Sequence, residues 1–249
     1  MVSTEQARQL PLSGKIAIVT GASRGIGAAV TLTYTSSSSQ KAVEDAVSVI
    51  NALGNGAAAI ACQADLRDLD SPRKIVLKTT AAFGQSIDIL VNNAGVLSLT
   101  SIQDLTVEEY NHCVDVNLRA VVFMTKEVLP YLQRPGRIIN ISSVAARLSV
   151  ANMPVYSATK AAVEGLTRSL ASQLGPQGHT VNVVQPGATK SDMLEKTPEV
   201  QEMQKAMTPL EHRLGTPEDV ALIVAMVAEP QIRWLTGQSI SASGGMLMS

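Results

Sequence analysis

Short apolar runs alternate along this chain with stretches of helical periodicity, and few architectures accept that rhythm. The runs fall at 15–20, 57–64, 87–92, 136–142, 179–184 and 238–242, and the helical stretches at 39–53, 72–83, 106–131, 155–174 and 217–228. Such alternation predicts an α/β fold: a doubly wound, mostly parallel sheet with helices on both faces. Ile87-Asp-Ile-Leu-Val-Asn92 is a near-continuous apolar run, as expected of a parallel strand covered on both sides. Several helix starts carry caps. Ser71-Pro72 sets a capping side chain before a first-turn proline, Thr216-Pro217-Glu-Asp219 does the same with acids at the positive end of the dipole, and Thr106-Val-Glu-Glu109 is a capping box. Asp68, Asp70 and Asp104 fit solvated turns and caps. At 249 residues, one domain spanning 1–249 is expected.

Two turns at the ends of predicted strands have ligand-binding character. Lys15-Ile-Ala-Ile-Val-Thr20 runs into Gly21-Ala-Ser-Arg-Gly25-Ile-Gly27. A glycine-rich turn after a strand exposes backbone N–H groups with no Cβ in the way, which suits a dinucleotide pyrophosphate. The 87–92 run ends in Asn92-Asn93-Ala94-Gly95 at the carboxyl edge of the sheet, where open α/β sheets bind ligands. Taken alone, the two asparagines read as an ordinary strand-ending turn.

A third pattern points to proton transfer. Tyr156 and Lys160 are four apart on a helical stretch, so phenol and ammonium share a face, and Ser143 lies thirteen residues upstream of the tyrosine. A neighbouring cation is expected to draw the phenol below its ordinary pKa of about 10 and make it a usable general acid or base. Tyr-x-x-x-Lys by itself is common on plain surface helices.

Together these residues resemble the short-chain dehydrogenase/reductase family over nearly the whole chain, and most closely its 3-oxoacyl-(acyl carrier protein) reductase and fungal polyketide reductase branch. Thr20-Gly-Ala-Ser-Arg-Gly-Ile-Gly27 is similar to the family's cofactor turn and Asn92-Asn-Ala-Gly95 to its Asn-Asn-Ala-Gly motif. Asn117, Ser143, Tyr156 and Lys160 match its catalytic Asn-Ser-Tyr-Lys set, and Pro186-Gly187-Ala-Thr189 its loop beside the nicotinamide. The resemblance implies a Rossmann-type fold and hydride exchange at a ketone or secondary alcohol. Ser143 would hold the substrate oxygen, Tyr156 donate the proton, Lys160 lower the Tyr156 pKa and bind the ribose, and Asn117 fix a water. Ser142, one residue off the family spacing, is assigned a structural role. The implied cofactor contacts are Gly21, Ser23, Arg24, Gly25, Ile26, Gly27, Ser36, Ser37, Asp65, Leu66, Asn92, Ala94, Gly95, Tyr156, Lys160, Pro186, Gly187 and Thr189, with Asp65 near the adenine ring.

One departure stands out. The family places a full helix after the glycine turn, whereas here Gly27-Ala-Ala leads directly into Val30-Thr-Leu-Thr-Tyr34, which already reads as the second strand. A parallel crossover normally needs a dozen or more residues. Three explanations stay open: a direct crossing without the helix, a helix over 24–34 at the expense of the strand, or a lost segment. Each predicts a shortened or missing helix, and with it weakened cofactor affinity or stability. The same region bears on cofactor choice. No Asp or Glu follows Tyr34, while Arg24, Ser36 and Ser37 offer phosphate donors, so NADP is favoured over NAD. The alternative function is a non-redox relative that binds a ligand or partner without turnover because its cofactor helix is truncated.

A net charge of −1, 45% hydrophobic and 16% charged residues argue against disorder and nucleic-acid binding. No apolar stretch reaches membrane-span length and no signal-peptide core is present, so a cytoplasmic protein is expected. Cys62 and Cys113 read as reduced core residues, and His112, His179 and His212 show no metal-ligand spacing. Segment 190–213, with Met193, Leu194, Met203 and Met207, reads as a substrate lid. Leu97, Val144 and Met153 would add apolar walls, which points to a hydrophobic, acyl or polyketide-like carbonyl substrate. The C-terminal Gln238-Ser-Ile-Ser-Ala-Ser-Gly-Gly245 matches a segment the family uses between subunits, with Ser243 at its usual Asp, and a homotetramer or homodimer is expected.

Overall fold

The computed structural model describes residues 11–22, 31–35, 39–148, 150–190 and 198–248. Its strands are β1 (Ala17–Val19), β2 (Thr31–Tyr34), β3 (Ile60–Gln63), β4 (Ile87–Asn92), β5 (Leu132–Ile141), β6 (Thr180–Pro186) and β7 (Ser239–Ala242). All pair in parallel in the order β3-β2-β1-β4-β5-β6-β7, so the expected sheet is the observed one. The helices are α1 (Gln40–Asn51), α2 (Ser71–Phe83), α3 (Val107–Val114), α4 (Ala120–Val128), α5 (Pro154–Leu174), α6 (Pro198–Ala206) and α7 (Pro217–Ala228).

The sheet is covered on both faces because its central strands are rich in buried aliphatic residues. Every residue of β4 is buried. One face packs under α1 and α7 through Val43, Ile50, Val220, Val224 and Val227. The other packs under α2, α4 and α5 through Ile75, Val76, Met124, Val128, Ala171 and Leu174. Burying an aliphatic side chain of this size stabilises a fold by about 1.5–3 kcal/mol, so the valine row of α7 alone accounts for its docking. Asp88, one of two polar residues in β4, takes hydrogen bonds from Lys15 Nζ and Ile16 N, both at 2.9 Å.

The capping box at Thr106 is present as read, and the cap at Thr216 is also a full capping box, closed by Asp219. Ser71 is corrected: the residue before the helix is Asp70, and the buried Ser71 already belongs to the first turn, where Pro72 follows it. The single helix expected over 106–131 is α3 and α4 joined by a π-helical turn at Asp115–Arg119.

The first crossover is short, as its length implies. Ile18 and Val19 pair with Thr31 and Leu32, so Thr31–Tyr34 is a strand, which rules out a helix across 24–34. Ala22 N donates to Thr33 O at 3.0 Å, which sets the turn level with the middle of β2, so the chain has only a short way to travel back. Residues 23–30 lie outside the described set. On this face α1 packs on β2 and β3 and α7 on β5, β6 and β7; among the described residues neither packs broadly on β1 or β4.

Candidate active site

The strand order reverses between β1 and β4, and the two turns read from the sequence meet there. Thr20 Oγ1 accepts from Asn93 N at 3.0 Å and Ala94 N at 3.1 Å, while Asn93 Nδ2 donates to the carbonyls of Thr20 and Gly21. Gly21 has φ +63°, and a Cβ there would lie 2.6 Å from Ala94 Cα, so only glycine lets the two turns approach this closely. Asn92 faces the other way. It is buried and donates to Asn140 Oδ1 at 2.8 Å, while Asn140 Nδ2 in turn donates to Thr167 Oγ1. The Asn92 side chain therefore joins β4, β5 and α5, and Asn93 is the one that borders the open side.

That side is a cleft of about 450 Å³ lined in part by Gly21, Tyr34, Asp65, Leu66, Ala94 and Gly95. Asp65, Leu66, Gly21, Ala94 and Gly95 thus stand together as the sequence placed them. Ser23, Arg24, Gly25, Ile26, Gly27, Ser36 and Ser37 lie outside the described residues. The cleft also has walls that the motifs did not predict: Arg67, His112 and Val116. His112 and Val116 sit one helical turn apart, just ahead of Asn117, and that spacing was the available signal. Arg67 grips Asp65 at 2.6 Å and holds its carboxyl below the usual range.

The proton-transfer residues come from three buried elements. The π turn brings Asn117 to full burial, where Oδ1 accepts from Val96 N at 2.8 Å and Nδ2 donates to Val96 O at 2.9 Å. The side chain also meets Thr159 Oγ1 and Cys113 Sγ, each at 3.3 Å. Ser143 follows β5 in extended backbone and caps the short turn Val144–Ala146, its Oγ accepting from Ala145 N at 3.2 Å. Tyr156 and Lys160 lie in the first two turns of α5.

The electrostatics differ from the expectation at one point. The Tyr156 phenol is pushed above its ordinary value by burial, with the neighbouring Ser143 hydroxyl pulling the other way. Lys160 does not draw it down. Its Nζ lies 5.8 Å from the centre of the Tyr156 ring, donates to Ile141 O at 2.9 Å, and is itself lowered to about 8 by burial. Loss of hydration favours the neutral form of each group and is the largest cause of both shifts. An ammonium at about 8 still carries its charge at neutral pH. A Cβ on Gly95 would reach within 3.3 Å of Lys160 Nζ and 3.4 Å of Asn117 Oδ1, so the end of the Asn-Asn-Ala-Gly turn faces the lysine directly.

Pro186 ends β6, and Gly187 N donates to Ala242 O at 3.1 Å. Gly187 also has no room for a Cβ, which would lie 2.9 Å from Ser243 Cα. Thr189 bridges to Gly215 and donates to Gly187 O. Ser142 is buried and donates to Lys160 O at 3.0 Å, the structural role assigned to it. Cys62 and Cys113 are free and buried. His179 is buried and accepts from Gly136 N at 2.9 Å. No helix among the described residues is long and apolar enough to cross a membrane.

The family model described as enoyl-(acyl carrier protein) reductase matches residues 18–247. A dehydrogenase of Cochliobolus heterostrophus is 50% identical over 227 residues, covering 88% of this chain and 97% of the relative. A hydroxynaphthalene reductase of Aspergillus fumigatus is 35% identical, covering 93% and 92%. Among solved structures, a short-chain dehydrogenase of Burkholderia cenocepacia in complex with NADP matches with a TM-score of 0.88 and 38% identity, covering 95% of this chain and 99% of that one. The motifs, the sheet order and these matches agree: the chain belongs to the short-chain dehydrogenase/reductase family.

Proposed function

We propose that this protein reduces a ketone with NADPH, or oxidises the matching secondary alcohol in reverse, on a hydrophobic, acyl or polyketide-like substrate. The observation that carries the reading is the corner where the Ser143 hydroxyl acts on the Tyr156 phenol beside a buried Lys160, next to a cleft at the switch point of the sheet. A dinucleotide fits the residues described, since Gly21 and Gly95 keep the turn side of the cleft free of side chains and the Gly95 end opens on Lys160. When bound, the nicotinamide supplies or accepts the hydride.

The chain's own residues then have separate tasks. Ser143 orients the substrate oxygen. Tyr156 gives that oxygen a proton, and burial favours this because a raised phenol stays protonated at neutral pH, the form a reductase needs. Lys160 binds the ribose and keeps a positive charge near the developing alkoxide. Asn117 orders a water toward the lysine. Asp65, Leu66, Ala94 and Gly95 hold the adenosine half, and Pro186, Gly187 and Thr189 border the nicotinamide. NADPH is preferred over NADH because no carboxylate follows β2 to repel a 2′-phosphate, and Arg24, Ser36 and Ser37 supply donors in the sequence. A metagenomic blue fluorescent protein solved with NADPH, 35% identical with a TM-score of 0.90 over 96% of this chain and 100% of that one, supports the same choice.

Segment 190–213 is read as the lid; its α6 exposes Met203, and Met207 follows it, both suited to an adaptable apolar pocket. Trp234, 98% exposed, and the exposed Leu222 leave large apolar side chains in water, and β7 ends the sheet among the described residues; these support assembly as a homodimer or homotetramer. The non-turnover alternative is not favoured, since a protein that only binds has no need of the converged set. The test is to mix the protein and NADPH with β-ketoacyl thioesters, hydroxylated aromatic ketones and small polar ketones. Consumption of NADPH with the apolar members is expected. Thermal stabilisation by NADPH with no consumption on any ketone would instead support the binding-only alternative.

A further inference from the structure

Four polar side chains outside the Asn-Ser-Tyr-Lys set form a knot directly behind it. Glu164 lies one turn beyond Lys160 on α5 and is only 5% exposed. Its Oε1 accepts from Gln185 Nε2 at 2.5 Å and from Ser142 Oγ at 3.3 Å, and its Oε2 accepts from Arg147 Nε at 3.1 Å. Ser142 immediately precedes Ser143, Gln185 precedes Pro186-Gly187, and Arg147 ends the short turn that Ser143 caps. One carboxylate therefore ties the ends of β5 and β6 and the serine turn to the helix that carries Tyr156 and Lys160. Gln185 is fully buried and its Oε1 has no partner among the described residues, so within that set the carboxylate fixes the direction of that amide.

Stability does not explain this arrangement. A buried ion pair is often no better than apolar residues of the same volume, whereas a buried carboxylate that loses its partner is costly. What the charge adds is direction: it recruits Arg147, whose side chain is about a third exposed, down onto α5. Misplacing a reacting group by about 1 Å can lower a rate roughly a hundredfold, so the alignment of Ser143 with Tyr156 is where such a tether would act.

We propose that Glu164, acting through Arg147, is a positioning residue that holds the Ser143 turn in register with Tyr156; the proposal rests on the proton-donor reading of Tyr156 given above. The experiment compares Arg147→Ala, Glu164→Gln, the double variant and Ser143→Ala in the full chain. The decisive readout is the titration of the Tyr156 phenol, followed by ultraviolet difference absorbance with Tyr156→Phe as the blank. Ser143→Ala is expected to raise its midpoint, because the neighbouring hydroxyl that favours the phenolate is gone. Arg147→Ala is expected to raise it in the same direction and to lower kcat about tenfold or more, with KM for NADPH unchanged. The double variant should lose no more than the larger single, since the two residues act as a unit. Arg147→Lys should recover part of the loss. A midpoint unmoved in Arg147→Ala while Ser143→Ala moves it, or losses that add in the double variant, would overturn the proposal. Should Glu164→Gln fail to fold, Arg147→Ala decides alone. If the wild type consumes NADPH with no ketone, the functional reading fails while the phenol titration still judges the tether.

Discussion

The two halves of the sheet are built to different standards. On one side of the switch point, β5 and β6 run for 10 and 7 residues, α5 runs for 21, and the polar groups at their ends are laced together through Asn92, Asn140, Thr167 and Glu164. On the other side, β1, β2 and β3 have 3, 4 and 4 residues, and only residues 20–30 link the first two. The first half holds the groups that would move a proton, and the second would hold the nucleotide. Chemistry depends on alignment within fractions of an ångström, whereas nucleotide binding is a sum of many contacts and tolerates the loss of some. The molecule is therefore expected to have a competent proton-transfer corner joined to a weak nucleotide grip.

The sharpest way to break that comparison is Tyr156→Phe. It removes one hydroxyl from the strong half and touches nothing in the weak one. Turnover should fall by about 10²–10⁴-fold, the usual contribution of a positioned acid, while NADPH affinity changes less than twofold. Steady-state kinetics with a parallel cofactor titration checks both. Retained turnover would show that the tyrosine is not the donor.

Next in size is the response to pH. Lys160, lowered to about 8, loses its charge as pH rises through that value, so kcat should fall about tenfold per unit above it. The stability effect has the opposite sign. The unfolded chain holds this proton up to about 10.5, so between about 8 and 10 the unfolded state binds more protons than the folded one, and the group contributes increasing stability as pH rises. Above about 10 the buried Tyr156 phenol works the other way, since the unfolded chain ionises first. Activity lost near pH 9 without a fall in melting temperature would separate deprotonation from unfolding; joint loss would reject the assignment to Lys160.

The contrast between the halves also governs how much could be read in advance. Ser143, Tyr156 and Lys160 lie within one short stretch, and their spacing on a strand end and a helix is a local property that sequence states directly. Asn117 was found by motif, but not the π turn that carries it, because a π insertion has no reliable side-chain signature. The direction of the Tyr156 shift was misread for a related reason: the helix places the two residues on one face, but the burial that raises the phenol comes from tertiary packing. Glu164, Arg147 and Gln185 went unnoticed because each is an ordinary polar residue in its own segment, and only the parallel ordering of β5 and β6 brings them together. The nucleotide side was read through glycines, which report where backbone must come close; its flanking side chains, Arg67 and His112, come from elements far apart in the chain.

The weak half makes its own prediction. A full helix N-terminus is worth up to about 2 kcal/mol to an anion, and roughly 1.4 kcal/mol is a factor of ten. NADPH should therefore bind the wild-type protein up to about 30-fold more weakly than an ordinary micromolar site, as measured by quenching of protein fluorescence or by calorimetry. Micromolar binding would show that the short crossover holds the pyrophosphate as well as a helix does.

The smallest effect tests whether side chains at the adenosine end compensate for that crossover. Arg67 engages Asp65 through Nε and Nη2 at 2.6–3.1 Å and borders the cleft, but half of its side chain is exposed, and exposed pairs contribute about 0.2–1 kcal/mol. Arg67→Ala frees the Asp65 carboxylate to turn toward or away from the adenine. The expected result is a KM for NADPH raised about two- to fivefold with kcat unchanged, since the tie to the Asn117 turn, Arg119 Nη2 to Arg67 O at 2.6 Å, runs through the backbone carbonyl and survives the substitution. The effect should shrink at high salt, because an exposed pair is screened. A fall in kcat would mean that the halves communicate through Asn93 and the Gly95 turn, and that the division drawn between them is too clean. An unchanged KM would place the cofactor's adenosine elsewhere than between Asp65 and His112.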